Sequence, residues 1–291
     1  MYLQIVDNSF IIDFDDIIAD KNINIHKLVL STFNTWQKSR DLSQKESDTA
    51  IGKIAEFAVA TAFRIFNIPL YHSYDSFRTD GFKLHAPFDG LLCKNLNKEL
   101  IDIINSSVAN IGPKISSSIR KEIRKFDAFT VEVKSTRLAK KYKERANFKN
   151  YDNQSEVENL IKELSSLDFI TYPYFSREGD YSFSSYCDLA KAKLCLNYSG
   201  ESLKAEVLKH ERNNSDDIYI RVFIDEELHK AIIMGWIDKK SFYENATLMK
   251  LIKRNKSENA LYFACPLKLG RAIPEINSLT FYYLKEAEEK I

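Results

Sequence analysis

The chain has 291 residues, 44% of them apolar and 29% charged, with a formal net charge of +1. That length supports one large domain, or a core domain with insertions. The charge balance excludes a global basic field as the means of holding a polyanion, so such contacts must come from local clusters.

Taken in chain order, "MYLQIVDNSFIIDFDD" carries acids where a signal peptide needs cations. No apolar run approaches the roughly 18 residues of a membrane span, so neither secretion nor membrane insertion is expected, and the expected location is cytoplasmic. Residues 1–16 alternate weakly and read as a short strand or a lead-in. The spacing of Ile25, Leu28, Leu30, Phe33 and Trp36 predicts a helix over 24–39, which makes 1–46 a largely helical N-terminal lead-in. The clearest helix is "SDTAIGKIAEFAVATAFRIFN". Ser47 or Asp48 can cap it, Ile51, Ile54, Ala55, Ala58, Val59, Ala62 and Phe66 form one apolar stripe, and Pro69 lies beyond its end at Asn67.

Turn residues around Thr79-Asp80-Gly81 precede the short strand-like run "APFDGLLCK". Helices are predicted over 97–111 and again after Pro113. "AFTVEVKS" is a strand by its alternation and β-branched content. A basic loop over 137–149, a helix over 154–166 and a strand in "LDFITYPYF" follow. Residues 176–217, rich in Ser, Tyr and Asn, read as an insertion. "DDIYIRVFID" and "KAIIMGWID" form two strands, "KKSFYENATLMKLIKRN" a helix, and the tail from "ALYFACPL" to the C-terminus a strand or two with a short helical end. Strands interleaved with helices argue for an α/β layer structure around a mixed sheet.

Chemistry is scarce outside one place. The four cysteines, Cys93, Cys187, Cys195 and Cys265, form no C-x-x-C pair, and the five histidines form no ligand pattern. There is no glycine-rich phosphate loop and no G-x-S-x-G. In "VEVKS", however, Glu132 and Lys134 share one face of a strand while Val131 and Val133 take the other. Acid-x-Lys recurs at Asp238/Lys240 and Glu288/Lys290, but only the pair at 132 and 134 lies inside a β-branched strand. A pair of charges there is costly unless paired or bound to a metal. The plain alternative is a solvated pair on a strand at the sheet edge.

A helix bearing Glu56 in "GKIAEFAVA", a strand bearing Asp89 in "APFDGLL" and a strand bearing Glu132 and Lys134 follow one another. This order resembles the PD-(D/E)XK nuclease superfamily, over roughly residues 48–240 discontinuously. Two features depart from its pattern. The Pro-Asp dipeptide is here Pro87-Phe88-Asp89, and the spacing from Asp89 to Glu132 is long, with a helical insertion between; Asp80 in "RTDGF" is the alternative first acid. The resemblance implies a restriction-endonuclease-like α/β core, with a central mixed sheet flanked by helices. It also implies a single domain over 1–291 with insertions at about 95–126 and 176–217. Its catalytic set would be Glu56, Asp89, Glu132 and Lys134, with Mg²⁺ held by Asp89 and Glu132, helped by the Val133 carbonyl, and with Glu56 acting through a water or on a second ion. Lys134 would orient or help deprotonate the attacking water.

Basic clusters on both sides of this strand supply candidate phosphate contacts: Lys121, Arg124 and Lys125 before it, and Arg137, Lys140, Lys141, Lys143 and Arg145 after it. Base-reading candidates are Arg177, Tyr181, Asn213 and Asn214. The functional expectation is a Mg²⁺-dependent, sequence-specific endonuclease of double-stranded DNA, resembling type II restriction enzymes. It would act as a homodimer, with a companion methyltransferase protecting the same site. The alternatives are another nuclease of the superfamily (a junction resolvase, a repair or a modification-dependent enzyme) and a non-catalytic DNA-binding protein.

Overall fold

The computed structural model of the protein describes residues 3–18, 42–112, 115–171, 215–252 and 259–276. Its centre is a seven-stranded mixed sheet. The strands are β1 (Leu3–Val6), β2 (Ser9–Asp13), β3 (Tyr71–Ser73), β4 (Gly90–Leu92), β5 (Phe129–Arg137), β7 (Ile218–Asp225) and β8 (Lys230–Asp238). Their order is β1-β2-β8-β7-β5-β4-β3. Every pairing is antiparallel except that of β5 with β7. A parallel pair requires a crossover. Here it contains α5 (Lys140–Arg145), α6 (Gln154–Ser165) and β6 (Asp168–Thr171). A smaller antiparallel sheet joins β6 to β10 (Asn259–Pro266) and β10 to β9 (Thr247–Ile252).

Helix α2 (Leu42–Ile65) covers one face of the main sheet. Its stripe of Ile51, Ala55, Ala58, Val59 and Ala62 packs on Val131 and Val133 of β5 and on Ile218, Ile220 and Val222 of β7. Small residues at three of those helix positions let helix and sheet approach closely. The helix stops where the sequence says it should. Asn67 takes a left-handed φ of 51°, and the Ile68 N–H bonds back to the Phe63 carbonyl, a Schellman-type end.

The opposite face is covered by α6, whose Val157, Leu160, Ile161 and Leu164 meet Tyr219 and Phe223 of β7 and Ile232 and Met234 of β8. β7 is therefore buried on both faces along its whole length. At the β3–β4 end, α3 (Lys98–Ile111) and α4 (Ser117–Arg124) build a third cluster on Tyr74, Phe88 and Leu91.

Several expectations change. The N-terminal lead-in is not helical over 3–13. Those residues form a hairpin turning at Asp7 (φ 51°), and its second strand pairs with β8, so the sheet extends well before residue 48. The five residues Phe14–Ile18 (α1) that follow are helical, α2 begins at Leu42 inside the expected lead-in, and the helix expected over 24–39 lies outside the described residues. The basic loop at 137–149 contains α5. The helix beginning at Lys239 (α7, Lys239–Asn245) ends early and gives way to β9, whose β-branched and apolar residues pair with β10 and carry the fold past residue 240. Most of the polar stretch 176–217, including Arg177, Tyr181, Asn213 and Asn214, lies outside the described residues, as do 172–175 and the tail after 276. Among the described residues no helix is long and apolar enough to cross a membrane.

Candidate active site

β5 is an interior strand, flanked by β4 and β7, so Glu132 and Lys134 are not a solvated pair on a sheet edge. Glu132 is only 8% exposed. The two side chains project from the face opposite Val131 and Val133 and form an ion pair, with the lysine half-buried. The desolvation that such a placement costs is offset by the pairing.

β4 brings Asp89 beside them. Its Oδ2 accepts the Val133 N–H at 2.7 Å, and its own N–H donates to the Val131 carbonyl at 3.0 Å. Asp89 is thus held by backbone on the strand that carries Glu132. Burial pushes its carboxyl well above the usual carboxylate range, and Glu132 and Glu56 push it further. Glu56 reaches in from α2. Burial raises it to about 7, with Asp75 and Glu132 adding to the rise and Lys53 opposing it. The carboxyls of Glu56, Asp89 and Glu132 are therefore close enough to act on one another electrostatically.

Three further groups complete this centre. Lys53, 5% exposed and one helical turn before Glu56, bonds the carboxylates of both Glu56 and Asp75 at 2.7 Å. Burial works against its charge, but Glu56 and then Asp75 outweigh it and hold its pKa above the ordinary lysine value. Arg78 bonds Asp75 at 3.1 Å and Asp80 at 2.7 Å, extending the chain of charges outward. Burial and then Glu56, Asp89 and Asp75 raise the pKa of Tyr71, on β3, well above that of an ordinary phenol.

The structure therefore brings Glu56, Asp89, Glu132 and Lys134 together. It separates Asp80, which is bound by Arg78 and by the Leu84 N–H at 2.9 Å. Sequence reading passes over Lys53, Asp75 and Tyr71. Lys53 is accessible to it through the i, i+3 relation to Glu56. Asp75 sits in a single 3₁₀ turn (Tyr74–Ser76), and Tyr71 reads as one more aromatic strand residue, so neither carries a local signal.

The donor chemistry fits a hard divalent cation: clustered carboxylates, outnumbering the lysines within reach. Among the described residues, however, no group of three or more His, Cys, Asp or Glu side chains stands ready to hold a metal ion. Glu56 is drawn to Lys53 and Glu132 to Lys134. A cation bound here by Asp89 and Glu132 would have to take Glu132 from its lysine.

The basic clusters are less open than their sequence suggests. Arg124 pairs with buried Asp217, Lys125 with Glu122, Arg137 with Asp48 and Glu226, Lys140 with Glu144, Lys143 with Asp225 and Glu227, and Arg145 with Glu163. Lys121 and Lys141 are exposed and make no ion pair among the described residues; the Lys141 ammonium lies 4.8 Å from the centre of the Tyr142 ring. No family model, curated protein or solved structure matches the chain significantly.

Proposed function

We propose that the protein is a Mg²⁺-dependent, sequence-specific double-stranded DNA endonuclease of the PD-(D/E)XK type, comparable to type II restriction enzymes. The observation that carries the reading is Asp89, hydrogen-bonded to the backbone of the strand that bears Glu132 and Lys134, with Glu56 of α2 near enough to act on both acids electrostatically. The order α2, β3, β4, β5, with a crossover to the parallel strand β7, supports a restriction-endonuclease-like core.

Phosphodiester hydrolysis needs charge neutralised on the phosphate and a nucleophilic water held in line. Mg²⁺, when bound, supplies the first and lowers the pKa of a water. Asp89 would hold it, with one carboxylate oxygen kept in place by the Val133 N–H. Glu132 would join it on leaving Lys134. The ammonium so released can donate to the phosphate or to the attacking water. Glu56, restrained by Lys53, reaches the same space from α2. Action as a homodimer on two-fold symmetric sites, with a companion methyltransferase, belongs to the same reading.

The test is incubation of unmethylated phage or plasmid DNA with the protein and Mg²⁺. Discrete fragments are expected, absent with EDTA and reduced by about a hundredfold or more in Lys134→Ala. Intact DNA of every kind, duplex, branched or methylated, from a normally folded protein would overturn it. A second reading, a non-catalytic DNA-binding protein, is favoured by the Glu132–Lys134 ion pair. It expects DNA affinity unchanged by EDTA or by the loss of Lys134.

A further inference from the structure

The Tyr71 hydroxyl is buried and has no hydrogen-bond partner among the described residues. A buried hydroxyl left without a partner is costly, so native structures rarely keep one without use. Its ring is fixed on both sides. It stacks on Phe63 of α2, with ring centres 5.0 Å apart and planes 20° apart. On the other side it lies against Gly90, where an added Cβ would stand 2.5 Å from the Tyr71 Cζ and Oη. Only glycine admits the ring at this place, next in sequence to Asp89. The acids near enough to act on the phenol electrostatically are Glu56, Asp89 and Asp75, two of them members of the candidate catalytic set.

Resting on the nuclease reading above, we propose that Tyr71 is a positioning residue of the same site: its hydroxyl donates to a water shared with the Glu56 and Asp89 carboxylates. The hydroxyl provides what the carboxylates lack, a neutral donor that fixes the water's oxygen without adding charge. Gly90 then has a functional reason to be glycine, since a side chain there would push the ring off this water.

Tyr71→Phe removes the hydroxyl and keeps the ring stacked on Phe63; Gly90→Ala keeps the hydroxyl and displaces it. Three quantities would be measured for each variant and for the wild type: Mn²⁺ affinity by calorimetry without DNA, Mg²⁺-dependent cleavage of plasmid DNA, and the thermal midpoint. Tyr71→Phe is expected to fold as well as the wild type while losing about tenfold in cleavage rate and in Mn²⁺ affinity. Gly90→Ala is expected to lose both as well. Cleavage and Mn²⁺ affinity equal to wild type in Tyr71→Phe would overturn the proposal while leaving the nuclease reading intact. A wild-type protein that neither binds Mn²⁺ nor cuts DNA, with Lys134→Ala indistinguishable from it, would overturn both.

Discussion

At the scale of single residues, the centre is governed by how few charges can be buried together. Lys53 neutralises two carboxylates that would otherwise repel each other inside the fold. Lys53→Met keeps the bulk of the side chain and removes its charge. We expect a loss of about 3–5 kcal/mol in urea unfolding, the usual cost of leaving buried charge unpaired; a loss below about 1 kcal/mol would show that Glu56 and Asp75 do not depend on it. Farther out, the side-chain hydrogen bond from Arg78, working against partial burial, lowers the pKa of Asp80 to about 2. Its folded pKa is below the ordinary aspartate value of about 3.9. The pair therefore stabilises the protein above about pH 4, and this contribution fades as the pH falls toward 2. Asp80→Asn should flatten that part of the acid-unfolding curve, measured by circular dichroism, and leave its neutral limb lower but parallel.

At the scale of elements, a second buried network joins pieces that hydrophobic patterning alone would leave loosely oriented. Asp217, just before β7, accepts the Thr130 N–H of β5 at 2.9 Å and pairs with Arg124 of α4 and with Lys239 of α7, the latter at 3.0 Å. Burial resists the charge of Asp217, but Lys239, Arg124 and Arg120 hold its carboxyl far below the usual range. Next to it, Asp216 takes Arg120 at 3.3 Å, and Arg120 also donates to the Thr130 hydroxyl at 2.7 Å. Arg120 and Arg124 of α4 thus serve as struts between helix and sheet. Asp217→Ala would leave buried cations facing each other. We expect it to destabilise the fold by about 3–5 kcal/mol, read by urea unfolding, and more than Lys125→Ala, whose pair with Glu122 is exposed.

At the scale of the whole molecule, the net charge is near zero, and among the described residues most of the candidate phosphate-contacting cations are engaged in ion pairs. If the protein holds DNA through the candidate phosphate contacts, Lys121 and Lys141 are the ones that make no ion pair among the described residues. Replacing both by alanine should reduce the salt slope of DNA binding by roughly 2, about 1 for each phosphate no longer neutralised. Lys143→Ala should behave differently. Lys143 bonds buried Asp225 at 2.8 Å, so its removal should appear first as lower stability. Fluorescence anisotropy over a salt series, alongside thermal unfolding, separates the two effects; equal salt slopes in all variants would place the DNA-binding surface elsewhere.

Local pattern decides what can be decided over one or two turns of chain. The stripe of α2 and its end at Asn67, the alternation of β5 with Glu132 and Lys134 on one face, and the strand character of β7 and β8 are all legible in the sequence, because each depends on neighbours within a few residues. Three matters are not local. β2 pairs with β8 across more than two hundred residues, so the N-terminal segment reads only as weak alternation until its partner is known. The run after Asn245 carries apolar residues that suit a helix as well as a strand, and pairing with β10 made it β9. The surroundings of Glu56 depend on where β3 and its following turn place Tyr71 and Asp75, since desolvation and Coulombic energy depend on distance and burial. For the same reason the basic clusters look free in sequence and are mostly paired in the fold: residue type sets the charge, and only tertiary structure sets its partner.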